Sequence, residues 1–417
     1  MPLGWSDLAA HPGRIGVWGL GVEGRANVAK LRALGVAPVE ADDSRPDTVA
    51  ALDGCDVIVK TPGISRYRDD VQRHLARGAR IVGGLGLWLA DHADRSRVIL
   101  VTGTKGKSTT TSIAGHLARG LGLDVVTGGN IGAPPYDTTG DLWVIEVSSY
   151  QATDLELTTP VVGVTSLHPD HLDWHGGEER YYADKLSITT LPSSDVVVAN
   201  GEDDRLRARL PATTTWVTAD DATAWADPLQ LVGRHNRTNA AIARGLLVAA
   251  GVDGADDDER VAAAAHGFTG LASRLRVIRT TDDGVDMVDD SLATNVLPTI
   301  AAVDAFAGRA VALLLGGHDR GIDYTPLADH LAARAEPTLA LTMPDSGDRI
   351  AEALEARAVD VRRCADLADA VIQGHDWART KRGVVLLSPA APSFGRFANY
   401  VDRAAAFEAC CEQVAPR

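Results

Sequence analysis

Cysteine is scarce in this chain. The four thiols, Cys55, Cys364, Cys410 and Cys411, are scattered, and none falls at a metal-binding spacing. Adjacent Cys410 and Cys411 do not readily pair with each other. A disulfide framework and a zinc ribbon are therefore excluded, and reduced thiols in a cytoplasmic protein are expected. Basic charge is also in deficit: 41 Lys and Arg stand against 56 Asp and Glu, a formal net charge of −15. Such a chain lacks the basic footprint of a nucleic-acid surface. No apolar run approaches the roughly 18 residues of a membrane span, and the N-terminus lacks the charged-then-apolar pattern of a secretory leader. There is no internal repeat, low-complexity segment or long linker. Small-molecule substrates are expected, with no nucleic-acid or membrane partner, and a monomer is the expected state.

A length of 417 residues is long for one core and predicts two or three domains. Hydrophobic content of 45% and charged content of 23% are those of an ordinary globular protein. The strongest local signal is Thr102-Gly103-Thr104-Lys105-Gly106-Lys107-Ser108-Thr109. It follows an apolar run at 98–101 that reads as a buried strand, and it precedes helical spacing of apolar residues over 110–121. Strand, glycine-rich turn and helix together make a phosphate cradle. Gly103 and Gly106 let backbone N–H groups face an anion at a helix N-terminus, where the macrodipole also favours negative charge. Lys107 is placed to reach the β- and γ-phosphates of ATP, and Ser108 to hold Mg²⁺. Two residues separate the glycines where the common NTPase loop has four, which points to a particular subset of ATP users.

Around this loop the chain reads as three α/β segments, at 1–95, 96–271 and 272–417. The first alternates strands near 14–19, 36–41 and 56–59 with a helix at 24–34, the pattern of a small parallel sheet. Its turn Gly19-Leu20-Gly21-Val22-Glu23-Gly24 matches a dinucleotide fingerprint, and Asp42-Asp43 lies about 20 residues on, where a ribose-binding acid sits. A dehydrogenase is the naive reading; the ATP loop downstream favours a different nucleotide, bound through its diphosphate. In the second segment, strands at 142–147 and 161–165 deliver Glu146, His168, Asp170 and His171 to their C-terminal ends, where open α/β sheets bind ligands. The third repeats the alternation, with strands near 285–288, 311–315 and 384–387.

Glu146, in Glu146-Val147-Ser148-Ser149-Tyr150-Gln151, is placed to bind Mg²⁺ beside transferring phosphate; capping a helix is the alternative. Asp170-His171-Leu172-Asp173-Trp174-His175 packs two imidazoles and two acids into six residues, and spacing alone does not decide between a metal and a phosphate site. Lys185, read locally, is an ordinary solvated helix lysine.

In order along nearly the whole chain, these motifs resemble the Mur ligases, ATP-dependent enzymes that add amino acids to peptidoglycan precursors. The resemblance rests on the turn at 19–24, Thr61-Pro62-Gly63-Ile64, the loop at 103–109, Gly129-Asn130-Ile131-Gly132, and residues 146–151 and 170–175. It continues through Gly233-Arg234-His235-Asn236-Arg237-Thr238-Asn239, Asp289-Asp290-Ser291, Gly316-Gly317-His318-Asp319, and Leu387-Ser388-Pro389 with Ser393. It is closest to the members that add glutamate to UDP-N-acetylmuramoyl-L-alanine. It implies three domains: a Rossmann-like UDP-binding domain, a central P-loop ATPase with a mainly parallel sheet, and a Rossmann-like C-terminal domain that closes over the site. By this resemblance Gly103, Thr104, Gly106, Lys107, Ser108 and Thr109 bind ATP, with Asn236 near adenine and Arg274 and Asp290 completing the site. Ser108, Glu146, His171 and Lys185 serve two Mg²⁺ ions, Lys185 as a carbamate made with CO₂. Gly19, Leu20, Gly21, Gly24, Asp42, Gly63, Asn130 and His175 line the UDP substrate, and Thr294, Arg320, Ser393 and Tyr400 the glutamate. Lys107, Lys185, His171 and Glu146 form the catalytic set.

Several positions depart from the D-glutamate-adding pattern. Lys105 stands where asparagine is common, Glu23 where threonine is typical, and Ser166 where asparagine is expected. Leu292 and Arg320 each replace a lysine, and Tyr400 a phenylalanine. Leucine cannot pair with a carboxylate, whereas arginine can do so bidentately from another angle. The two glutamate enantiomers place their carboxylates differently about the amine, so a reset of cationic groups suits the branch that adds L-glutamate. D-glutamate and a non-catalytic nucleotide-binding scaffold are the alternatives. Folylpolyglutamate synthetase shares the ATP core but not a muramoyl-type first domain. The lysine- or diaminopimelate-adding ligases carry an Asp-Asn-Pro-Arg motif that is absent here, and the muramyl amidation subunits need a cysteine cluster.

Overall fold

A computed structural model of the protein describes residues 2–92, 94–130, 134–271 and 273–414, and its strands form three sheets. Ile131 and Gly132, and the expected domain boundary at residue 272, lie outside the described residues. The first sheet contains β1 (Ile15–Trp18), β2 (Val39–Ala41), β3 (Val57–Lys60) and β4 (Arg80–Val82), all parallel in the order β2-β1-β3-β4. The second contains β5 (Val98–Thr102), β6 (Val125–Gly129), β7 (Leu142–Glu146), β8 (Val161–Val164), β9 (Val196–Asn200) and β10 (Thr215–Val217). It is wholly parallel, in the order β10-β9-β8-β5-β7-β6.

The third sheet holds β11 (Arg276–Thr280), β12 (Asp286–Asp289), β13 (Val311–Leu315), β14 (Thr338–Thr342), β15 (Asp360–Arg363) and β16 (Val384–Leu387). Its order is β11-β12-β16-β13-β14-β15, and only β11 runs antiparallel to its neighbour.

The chain divides into two compact units. One comprises Met1–Gln230 with His235–Phe268, the other Leu231–Arg234 with Thr269–Arg417. The first two sheets share a unit because they share a core: Ile15, Val17, Val57 and Val59 of the first cluster with Val98, Leu100, Trp143 and Ile145 of the second. Leu85, Leu87, Trp88 and Leu89, from the helix Gly84–Asp91, complete that cluster. In the other unit helices cover both faces of the third sheet, with Val296, Leu327 and Ile350 on one side and Val371, Phe407 and Cys411 on the other.

All five residues of β5 are buried, as are all five of β7 and all four of β8. Parallel strands covered on both faces read as continuous apolar runs, which is why these were legible. Their shared direction brings the loops after β5, β7 and β8 to one edge of the sheet. Among the described residues no helix is long and apolar enough to cross a membrane.

Candidate active site

The loop after β5 turns directly into the helix Lys107–Gly120, which begins three residues before the apolar spacing suggested. Gly106 adopts φ +91°, and a Cβ there would lie 2.5 Å from Asn239 Oδ1. Only glycine tolerates both conditions. The loop is clamped from the chain following β8. Thr104 N–H donates to the Ser166 carbonyl (2.8 Å), Lys105 N–H to Ser166 Oγ (2.9 Å), and Thr165 Oγ1 to the Lys105 carbonyl (2.5 Å). Ser166 and Lys105, two of the departures from the D-glutamate-adding pattern, are thus direct partners. Thr104 Oγ1 also meets the Tyr181 hydroxyl at 2.7 Å. Thr109, on the first turn of the helix, is half-buried.

Glu146 ends β7 and is 1% exposed. Ser108 Oγ donates to its Oε2 (2.6 Å), Asn130 Nδ2 to its Oε1 (2.8 Å), and Lys107 Nζ stands 3.9 Å from Oε1. Three expected residues therefore converge on the carboxylate of a fourth. Among the described residues no group of three or more His, Cys, Asp or Glu could hold a metal ion. Mg²⁺ needs no such cage, since it takes one or two protein oxygens together with substrate phosphates and water. The adjacent oxygens of Ser108 and Glu146 fit that requirement.

Lys185 lies on the helix Glu178–Leu186 and is 2% exposed, so the structure overturns its reading as a solvated lysine. Its Nζ donates to the Gly103 carbonyl at 3.0 Å, within the ATP loop. Desolvation, with Lys107 adding repulsion, holds its pKa well below the usual lysine range. His171 adopts φ +52°, and its ring is about half exposed. Burial, Lys105, Lys185 and Lys107 lower its pKa against Asp170, favouring the neutral imidazole that binds metals. Lys105 Nζ donates to Asp170 Oδ2 at 3.1 Å. His175 is fully buried and uses both ring nitrogens, one with Asp184 Oδ2 (2.6 Å) and the other with Ser149 Oγ (3.0 Å). It stands inside the wall of this region rather than presenting a free nitrogen.

In the first sheet, the turn after β1 closes tightly: a Cβ on Gly24 would lie 1.8 Å from the Gly19 carbonyl. Gly21 is exposed at the mouth of this turn. Asp42, just past β2, accepts from the Ser44 hydroxyl (2.6 Å) and from Leu20 N–H (2.8 Å), which depress its pKa to about 2. It pins the glycine-rich turn. Glu23 takes a 3.3 Å bond from Gln151 Nε2, and burial raises its carboxyl to about 7. The Gly63 carbonyl accepts from Trp174 Nε1 (3.2 Å), and Tyr67 OH donates to Asp184 Oδ1 (2.6 Å). The segment 63–67 is thereby tied to the helices that carry His175 and Lys185.

Asn236, at the start of the helix Arg234–Ala249, accepts from Asn239 Nδ2 (3.2 Å). Asn239 in turn backs onto Gly106, which links the expected adenine residue to the phosphate loop. Asn239 was not among the expected site residues, although its position one turn after Asn236 was an available signal.

In the second unit, Asp290 is buried, accepts from Ser388 Oγ (2.8 Å) and Leu275 N–H (3.3 Å), and is pushed up to about 7 by desolvation. Arg274 lies between Ser273 (φ +61°) and Leu275 (φ +48°). Left-handed backbone on both sides of one residue is strain of the kind that clusters at functional segments. Thr294 is half-buried, Ser393 buried, and Arg320 and Tyr400 exposed. A cavity of about 330 Å³ at the carboxyl ends of β13 and β14 is lined by Gly316, Gly317, Ser393, Arg396 and Arg403, among others. Thr294, Arg320 and Tyr400 are not on its lining.

A parallel sheet whose carboxyl edge gathers a phosphate loop, a buried carboxylate and a desolvated lysine defines a nucleotide-using enzyme of the P-loop kind. Residues 101–226 match the family described as Mur ligase middle domain. A relative from Salinispora tropica, UDP-N-acetylmuramoyl-L-alanine–L-glutamate ligase, is 40% identical over 96% of this chain and 97% of its own. Among solved structures, the UDP-N-acetylmuramate–alanine ligase of Thermotoga maritima is similar over 96% of this chain and 99% of its own, at 18% identity and a TM-score of 0.59. A MurF ligase of the same organism, in complex with ADP, covers 97% of this chain and 96% of its own, at 16% identity and a TM-score of 0.55. This chain belongs to the Mur ligase family, ATP-dependent enzymes that form peptide bonds.

Proposed function

We propose that this protein joins L-glutamate to UDP-N-acetylmuramoyl-L-alanine at the expense of ATP, in the cytoplasmic synthesis of peptidoglycan precursors. The observation that carries the reading is the convergence of Lys107, Ser108 and Asn130 on the Glu146 carboxylate at the mouth of the phosphate loop. The relatives' shared name, at 34–40% identity over more than nine-tenths of the chain, supports glutamate, and its L form, as the added amino acid.

A carboxylate is a poor electrophile. An oxygen of the substrate's terminal alanine carboxylate attacks the γ-phosphorus, ADP leaves, and an acyl phosphate forms. The glutamate amine, unprotonated, then attacks the acyl carbon; inorganic phosphate departs and the nitrogen loses a proton. Lys107 stabilises charge on the transferring group, and the N–H groups of the loop at 103–109 orient the phosphates. Ser108 and Glu146 hold one Mg²⁺, and His171 with carbamylated Lys185 a second. Bound Mg²⁺ neutralises phosphate charge. Desolvation lowers the Lys185 pKa and so favours the neutral amine, the form that takes up CO₂ in a reaction that releases a proton and leaves an anion. Asn236, Arg274 and Asp290 serve ATP. The segment 1–95, through Gly19, Leu20, Gly21, Gly24, Asp42 and Gly63, takes the UDP substrate with Asn130. Segment 96–271 carries the ATPase centre. Segment 272–417, through Thr294, Arg320, Ser393 and Tyr400, takes glutamate, and the enzyme acts as a monomer.

The test is ADP release by purified protein with Mg²⁺, UDP-N-acetylmuramoyl-L-alanine and L- or D-glutamate. Faster turnover with L-glutamate supports the reading. Preference for D-glutamate overturns the stereochemistry, and substrate-independent ADP release, or none, overturns the ligase assignment.

A further inference from the structure

Arg403, on the helix Tyr400–Gln413, is 1% exposed. Its Nη1 donates to the Ala391 carbonyl (3.0 Å) and its Nη2 to the Ser291 carbonyl (2.8 Å). Burial pulls its pKa down to about 10, with Asp289 acting against it. A guanidinium taken out of water is costly unless its donors are used, so the two carbonyls and the charge depend on each other. They belong to different loops. The Ser291 loop follows β12 and carries Asp290 and Thr294; the Ala391 loop follows β16 and carries Ser393. The turn after β13 closes on the same group, since a Cβ on Gly317 would lie 3.1 Å from Arg403 Nη1 and 2.2 Å from the Pro392 carbonyl. β12, β16 and β13 are consecutive neighbours in the sheet. One buried side chain thus joins two carboxyl-edge loops and packs against a third, beside a cavity of about 330 Å³ that both Arg403 and Ser393 line.

We propose that Arg403 is a positioning residue for the amino-acid subsite, setting the separation of the Ser291 and Ala391 loops and hence of Thr294 and Ser393. The subsite's identity rests on the proposed function; the clamp between the loops does not. Two divergent N–H groups are needed to span both carbonyls, and an ammonium on a shorter reach cannot take their place.

The test uses full-length Arg403→Lys and Arg403→Gln proteins, with Gly317→Ala as an independent intrusion on the same contact. In the ligand-free state, amide exchange at 290–294 and 388–393 is expected to accelerate selectively within the second unit. In turnover, KM for glutamate is expected to rise about tenfold or more while KM for ATP stays within about twofold, because small misplacements of binding groups are felt strongly. Arg403→Lys, which keeps the charge, is expected not to rescue. A lower Tm with unchanged loop exchange and unchanged KM for glutamate overturns the proposal and leaves Arg403 a packing residue. If the unaltered protein does not consume glutamate, the functional reading fails, while loop exchange still decides the clamp.

Discussion

Lys107 and Lys185 donate to the same acceptor: each Nζ lies 3.0 Å from the Gly103 carbonyl. One lysine comes from the start of the helix that follows the loop, the other from a helix 82 residues beyond Gly103. Two ammonium groups on one carbonyl repel, and Lys185, fully enclosed, is the one whose charged form is disfavoured, by desolvation first and by Lys107 second. An amine in that state becomes useful when converted into an anion beside Lys107.

Lys185 is therefore expected to carry a carbamate. Protein equilibrated with ¹³C-labelled CO₂ should show a carbamate carbon signal that Lys185→Arg abolishes, with kcat falling about a hundredfold or more. An unlabelled protein that is fully active in CO₂-depleted buffer would rule this out.

The Ser108–Glu146 contact predicts a shared role in metal-assisted phosphoryl transfer. Glu146→Gln keeps the shape of the side chain and the bond from Ser108, yet removes the charge. Its kcat should fall by roughly two to three orders of magnitude, and the Mg²⁺ concentration for half-maximal rate should rise. An unchanged Mg²⁺ dependence would assign Glu146 to loop support alone.

Asp290 gives a pH signature to the stability of its unit. Its folded pKa, about 7, lies above the unfolded value, so the native state holds the proton more tightly. That contribution is complete below about pH 4 and is lost as pH rises through about 7, worth about 4 kcal/mol at most. Asp290→Asn should flatten the fall in Tm between these limits and leave the variant the more stable one above pH 7. Parallel Tm curves for the two proteins would refute it.

Leu292 and Arg320 are expected to govern which enantiomer is used. The double variant Leu292→Lys with Arg320→Lys should shift the ratio of kcat/KM for L- over D-glutamate by about tenfold or more toward D. No change in the ratio would place stereochemical control elsewhere.

Much of the frame was legible because buried parallel strands are locally apolar. β5, β7, β8, β13 and β16 all read as short unbroken runs. Others did not. β6 ends in two glycines, and β15 carries three charged residues among its four, as an edge strand with exposed positions can. The helix Lys107–Gly120 began earlier than its apolar spacing because its first turn faces the phosphate position rather than the core.

At the site, the glycine spacing, Lys107 and Ser108 were readable from the chain alone, since a phosphate cradle is built within eight consecutive residues. Lys185 looked ordinary, and Arg403 gave no signal. The first acquires its chemistry from the Gly103 carbonyl and from enclosure; the second from carbonyls 12 and 112 residues away. Local order determined where nucleotide phosphates would be cradled, because backbone N–H direction follows from a short run of dihedrals. Which lysine has its pKa lowered, and which loops are held together, depended on desolvation and contact between distant segments, and those exist only once the sheets have packed.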